Sequence, residues 1–372
     1  MSKSVVISLG HGNLNQGFPR VTVQVWETNN PHREQFIGSL PPAPQLDQLY
    51  KNWRITYQSL CDRKLLRTRS TDDLDDYLEI GNGVTNVSQH NFTELCAGLE
   101  AGMDTWLKSE GILSLSRKLR SALHLNEEIN VIVETDDDLM RRLPWHRCDF
   151  FRDYSKAEIA ISRPEYMRHN DLDLQPKRSV VRILAILGDS EGIDLGAETE
   201  FLEGLNECEV VFLQTPTRQQ LNASLWDNLG WDIIFFAGHS RTEGATGRLY
   251  INNGTDNSIT IEELSEALKA AINKGLKLAI FNSCDGLGMA LALEKLHIPT
   301  AIVMREPVPN RVAQVFFHNF LTAFAISHLP LHTSFQMARR QLQALENEFP
   351  GASWLPIICQ NPAVEPPVWT KI

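Results

Sequence analysis

Two side chains in this chain have the types and the placement for covalent chemistry. His239 closes the run Ile233-Ile234-Phe235-Phe236-Ala237-Gly238-His239, and Cys284 closes Leu278-Ala279-Ile280-Phe281-Asn282-Ser283-Cys284. Each run is apolar, strand-like and ends abruptly in small or polar residues. If the two strands are parallel neighbours, their ends lie about 4.8 Å apart. The imidazole and thiol then meet in the crevice where open α/β sheets place ligands. A free thiol is only slightly ionised at neutral pH; an adjacent imidazole takes its proton and later protonates a leaving amine. A cysteine ending an apolar strand is on its own most often a small buried hydrophobe. Its pairing with a strand-end histidine argues for a nucleophile and its base.

The elements that must hold this pair read as repeated βα units. Strands are predicted at Val180–Leu187, Val210–Leu213, Ile233–Ala237, Leu278–Phe281 and Thr300–Met304. Helical spacing falls near 197–206, 218–228, 260–273, 286–296, 309–327 and 333–347, with Thr260 and Glu263 spaced as a capping box. Such alternation implies a parallel sheet with right-handed crossovers. Ahead of it, residues 1–40 read as a β-hairpin that stops at Pro41-Pro42-Ala43-Pro44. Leu46, Leu49, Tyr50, Trp53, Tyr57 and Leu60 follow at helical spacing. Two further helices (91–108 and 112–124) and strands at Ile129–Glu134 and Glu158–Ser162 complete an N-terminal lobe. The charged, aperiodic stretch 168–178 sets a boundary, giving a lobe over 1–175 and a second domain over 176–372.

Bulk properties narrow the function. A length of 372 residues allows two domains, and 42% hydrophobic content is ordinary for a globular protein. The net charge of −11 argues against nucleic acid as partner. Six dispersed cysteines without a C-x-x-C pair fit reduced thiols in a cytoplasm, with neither a disulfide framework nor a zinc site. No run of 18 apolar residues is present, so no membrane contact is expected from this chain itself. It is compatible with being the cytosolic part of a larger, membrane-anchored protein. The segment from Gln360 to Trp369 reads as a stiff, extended exit.

Other readings of the polar residues are weaker. Ser240 in Gly238-His239-Ser240-Arg241-Thr242 is not a serine nucleophile elbow, which needs Gly at position 242. The clusters Asp72–Asp76 and Asp136–Asp138 do not follow a calcium-loop pattern and read as solvated surface. The other histidines, such as His11, His90, His124, His297 and His318, share no metal-ligand spacing, so no metal and no cofactor is expected. Nucleotide-binding glycine motifs are absent. Arg305 and Glu306, just past a strand, either line the crevice or solvate its rim.

The stretch Phe281-Asn282-Ser283-Cys284-Asp285-Gly286-Leu287-Gly288-Met289-Ala290 resembles the cysteine motif of CHAT domains, caspase-like cysteine peptidases in the clan of caspases and separases. Ile298–Arg305, Phe349–Pro356 and the turn Leu143-Pro144-Trp145 are similar to that family too, especially to its cyanobacterial members. The resemblance covers roughly residues 90–360. The start through Gly38–Pro44 resembles proteins of this type that continue into a membrane-anchored CHASE-type sensor. The 45-residue separation of His239 and Cys284 agrees with the roughly 50 of caspases.

The resemblance implies an α/β, caspase-like open sheet, mostly parallel, with helices on both faces and an N-terminal supporting lobe, either a decayed caspase-like half or an inhibitory platform. His239 would be the general base, Cys284 the nucleophile, and the backbone amides of Ser240 and Cys284 the oxyanion donors. The chain departs from caspases in having Ser240 after the histidine and Ser-Cys-Asp-Gly around the thiol, which removes the reason to expect cleavage after aspartate. Asp189, Glu191 and Asp285 are the candidates for an S1 pocket that takes P1 Arg or Lys; a plain polar loop at 189–192 is the alternative. The implied function is cleavage of a protein partner in a regulated signalling or defence pathway, under a sensor or partner protein. A non-catalytic, peptide-binding signalling scaffold is the alternative, though it needs neither His239 nor Cys284.

Overall fold

The computed structural model describes residues 2–27, 32–69, 89–168, 180–191, 193–243, 246–255, 257–283 and 286–371. Three expectations fall outside them: the boundary at 175/176, the Asp72–Asp76 cluster, and Cys284 with Asp285.

The N-terminal half contains β1 (Ser2–Ser8), β2 (Phe18–Glu27), β3 (Glu34–Leu40), α1 (Pro44–Arg69), α2 (Gln89–Trp106), α3 (Glu110–Ser121), β4 (Glu128–Glu134), α4 (Asp138–Arg142), α5 (Asp149–Asp153) and β5 (Ala157–Ser162). The expected hairpin is thus a three-stranded meander, because Glu34–Leu40 turns back antiparallel onto β2. Helix α1 forms as its spacing predicts: Leu46, Tyr50, Trp53 and Tyr57 are all buried. Trp53 stacks on Tyr57 at 5.3 Å and on Trp354 at 5.4 Å, joining the lobe to the C-terminal half.

The C-terminal half contains β6 (Val181–Leu187), α6 (Gly196–Glu203), β7 (Cys208–Gln214), α7 (Arg218–Leu225), β8 (Ile233–Ala237), β9 (Ser240–Glu243), β10 (Thr246–Tyr250), β11 (Ser258–Thr260), α8 (Ser265–Asn273), β12 (Leu278–Asn282), α9 (Leu287–Lys295), β13 (Thr300–Met304), α10 (Asn310–Leu321), α11 (Leu331–Gln341) and β14 (Pro356–Gln360). Strands β6, β8, β12, β13 and β14 are buried along their whole length. That is why β6, β8, β12 and β13 read as largely apolar runs: helices cover both faces.

Among the described residues one sheet of eleven strands runs β3-β2-β1-β4-β5-β14-β13-β12-β8-β6-β7. Its pairs are parallel except β1–β2, β2–β3 and β13–β14. The fold is therefore α/β with an open, mostly parallel sheet. From β6 the chain first steps outward to β7 and then returns to the other side of β6 with β8. The order reverses there, the kind of place at which open α/β sheets take their ligands.

Three expectations change. Arg305 and Glu306 are buried instead of lining or solvating a crevice. Arg305 donates to the carbonyls of Arg142 (2.8 Å) and Leu143 (2.7 Å), pinning the Leu143-Pro144-Trp145 turn. Glu306 accepts from Tyr50 Oη, Arg54 Nε and Arg142 Nη1, each at 2.8 Å. The segment read as an exit is not one: Gln360 ends β14 and Trp369 is buried, edge-on to Phe324 at 5.8 Å. Thr260 and Glu263 do exchange backbone and side-chain hydrogen bonds, at 2.7 and 3.2 Å. That box closes the turn after β11, and α8 starts at Ser265.

Candidate active site

The carboxyl ends of β6 and β8 are stitched together through backbone groups. Gly188 N–H donates to Ala237 O (2.8 Å), His239 N–H to Asp189 O (2.9 Å), Asp189 N–H to Tyr250 O (2.8 Å) and Tyr250 N–H to His239 O (3.0 Å). Gly238 makes this approach feasible. Its φ is +145°, and a Cβ there would stand 2.9 Å from Asp189 O. His239 leaves this corner half-buried. Its Nε2 lies 2.9 Å from the carbonyl oxygen of Glu191. A carbonyl only accepts, so Nε2 carries the proton and Nδ1 keeps the lone pair. The loop after β6 thus fixes both the ring's orientation and its tautomer.

Directly after His239 the chain forms the small sheet β11-β10-β9, with Ser240 opposite Leu249. This sheet leans on the start of α9: a Cβ on Gly247 would come within 2.4 Å of Met289 N.

Strand β12 lies beside β8 in parallel, with Leu278 opposite Ile233 and Asn282 opposite Ala237. The register offset of 45 residues is the sequence separation of His239 and Cys284. The described chain resumes at Gly286, whose N–H donates to Met304 O at 2.8 Å. Ser283, buried, has an Oγ without a hydrogen-bond partner among the described residues.

Of the carboxylates expected near the crevice, Asp189 is half-buried and its Oδ1 accepts from Glu191 N–H at 3.1 Å. The Glu191 side chain is exposed; its carbonyl, not its carboxylate, touches His239. The structure thus gathers His239, Ser240, Asp189 and Glu191 at one end of the sheet. It adds a group the sequence did not flag. Asn282 Nδ2 donates to Oε1 of Glu198 on α6 at 2.9 Å, and Gln314 Nε2 on α10 donates to Asp194 O at 2.8 Å. Burial pushes the Glu198 carboxyl above its ordinary pKa. Glu198 reads in sequence as a first-turn helix acid, with no spacing to mark it.

Burial also raises the thiols of Cys148, Cys208 and Cys359, and takes Cys96 to about 12. Among the described residues no cluster of His, Cys, Asp or Glu could hold a metal, and no helix is long and apolar enough to cross a membrane.

No curated protein matches this sequence. Among solved structures, the chain is similar to two crystal structures of the Saccharomyces cerevisiae separase–securin complex, at 2.6 and 3.0 Å resolution. Each likeness has a TM-score of 0.51, with 10% and 12% identity, and covers 96% of this chain. The chain spans only 30% of the matched chain's length. At such identity the likeness is one of fold, and it takes in the N-terminal lobe as well as the C-terminal half. The description of the CHAT domain family matches residues 177–370, more than half of the sequence. With its sheet order and this match, the chain belongs to the CHAT domain family and has a caspase-like fold.

Proposed function

We propose that the chain is a cysteine endopeptidase with His239 as general base and Cys284 as nucleophile, cleaving a protein partner in a regulated signalling or defence pathway. The observation that carries this reading is the hydrogen bond from His239 Nε2–H to Glu191 O, which leaves Nδ1 as a base at the end of β8. The register of β8 and β12, offset by 45 residues, supports position 284 as the thiol's place opposite it.

In the proposed reaction Nδ1 takes the proton from Sγ of Cys284, and the thiolate attacks the scissile carbonyl carbon. The amides of Ser240 and Cys284 are the proposed donors to the oxyanion. As the C–N bond breaks, the imidazolium returns its proton to the leaving amine. Water, deprotonated by Nδ1, then attacks the thioester and releases the thiol. Asp189, Glu191 and Asp285 would favour a P1 Arg or Lys through charge-assisted hydrogen bonds. Regulation by a protein partner is in keeping with the fold's likeness to a separase solved in complex with securin. The site of action is proposed to be the cytoplasm.

The test is labelling with a P1-Arg chloromethyl ketone, mapped by peptide mass spectrometry. One fast adduct at Cys284 is expected, slowed about 10²–10⁴-fold in His239→Ala. The raised thiols of Cys96, Cys148, Cys208 and Cys359 keep the background low. Slow adducts spread over all six cysteines would overturn the peptidase and leave a peptide-binding scaffold.

A further inference from the structure

Between α6 and α10 lies a cavity of about 280 Å³, walled by Phe201, Phe235, Phe317 and Leu321 and lined also by Glu198 and Gln314. Its size suits one long side chain and is below that of a drug-sized ligand. Glu198 is 7% exposed. Its Oε1 accepts from Asn282 Nδ2 at 2.9 Å and its Oε2 from Gln314 Nε2 at a long 3.4 Å, and its own backbone N–H is a third donor. A carboxylate can accept about four hydrogen bonds, so this one keeps capacity for a further donor, and among the described residues it bears no cationic partner within its aromatic wall. Asp194, at the entry to α6, adds a second negative charge nearby. The one imidazole on the wall, His318, is exposed and packs edge-on to Phe201, 4.8 Å between centroids.

Apolar walls with a buried carboxylate complement an aliphatic stem that ends in N–H donors. We propose that this cavity binds an alkylguanidinium or alkylammonium group, with Glu198 as its counter-ion, and that occupancy is felt at Cys284 through Asn282. Asn282 ends β12, two residues before Cys284. A cation that engages Glu198 competes with the Asn282 amide for the same carboxylate. The group could be a free amine or an arginine or lysine side chain of a docked peptide; the recognition chemistry is shared.

Binding can be tested without catalysis, by calorimetric titration of agmatine and of acetyl-Gly-Arg-Gly-amide into the Cys284→Ala chain. Agmatine is expected to bind, with at least about tenfold weakening in Glu198→Gln, the loss of one charge-assisted pair. Ala197→Trp, at an exposed position on the cavity wall, should weaken it too, and the Glu198-dependent part of the binding should persist in Asp189→Asn. Binding of the peptide at equal or greater affinity would identify a side-chain ligand, and its failure beside agmatine a free amine. No binding, equal binding of 1-butanol, or loss in Asp189→Asn with retention in Glu198→Gln would overturn the cavity as the site. The last result would place the cation in the crevice and leave the peptidase reading standing. For the coupling, saturating agmatine should change the iodoacetamide alkylation rate of Cys284 at least about threefold in the wild type and not in Glu198→Gln; an unchanged wild-type rate would overturn it.

Discussion

His239 is oriented by a peptide carbonyl, and every residue carries one. The Glu191 side chain is therefore dispensable for holding the ring. Glu191→Ala should leave iodoacetamide alkylation of Cys284 within about twofold of wild type, as expected for an exposed substitution. Gly238 is the opposite case. A side chain there meets both a left-handed backbone and Asp189 O at 2.9 Å. Gly238→Ala should cost about 1–3 kcal/mol in urea unfolding and slow alkylation together, because the corner that presents His239 must open. This contrast also marks what was legible in the sequence. The histidine and cysteine stood out through their types and strand-end positions. The group that orients the histidine did not, since a carbonyl leaves no trace in residue identity. Glu198 escaped for a related reason: its burial comes from α10, more than a hundred residues further on.

At the level of elements, the long apolar runs were legible because burial on both faces leaves β6, β8, β12 and β13 apolar but for Arg182, Asn282 and Thr300. The short strands were not. β3 carries an exposed Ile37 and a Gly, β9 is Ser-Arg-Thr-Glu, and β14 begins at a proline; each is a strand only because a neighbour supplies the ladder. β14 also holds a titratable contact. His332 on α11 is buried and its Nε2–H donates to Gln360 Oε1 at 2.7 Å. Burial, the largest influence, lowers its pKa to about 4. Between the unfolded value near 6.5 and that figure, the unfolded chain binds a proton that the native chain refuses, so stability falls as pH falls. His332→Gln removes this dependence. The wild type's stability relative to the variant should decline by up to about 1.4 kcal/mol per pH unit from 6.5 toward 4, and stay flat above 7, in urea titrations at stepped pH. A flat difference across that range would show that His332 protonates in place.

Across the whole molecule, Glu306 ties the end of β13 to α1 and α4. It is fully buried, while Arg142 is 15% and Arg54 40% exposed, so most of the coupling rests on Arg142 and Tyr50. Glu306→Ala leaves a largely buried guanidinium without its counter-charge and should cost about 3–5 kcal/mol. The same network, with the Trp53–Trp354 stack and the β5–β14 pairing, predicts a single calorimetric transition for both lobes; two resolved transitions would contradict it. Charge in Arg305 and Glu306 read as solvent-facing because their partners lie about 160–250 residues away in sequence.

β14 follows every other strand of the sheet in sequence yet sits between β5 and β13. On a ribosome, β5 is complete roughly 190 residues before β14 emerges, about 10–40 s at ordinary elongation rates. Once β13 has been made, for roughly the last 50 residues of that interval, two sheet edges wait for the late strand that pairs with both. The strands bearing His239 and Cys284 are already made by then, but they belong to a half-sheet whose inner border is open. A nascent chain of this design exposes its stickiest surface at the centre of the future molecule, and the arrival of five residues closes it.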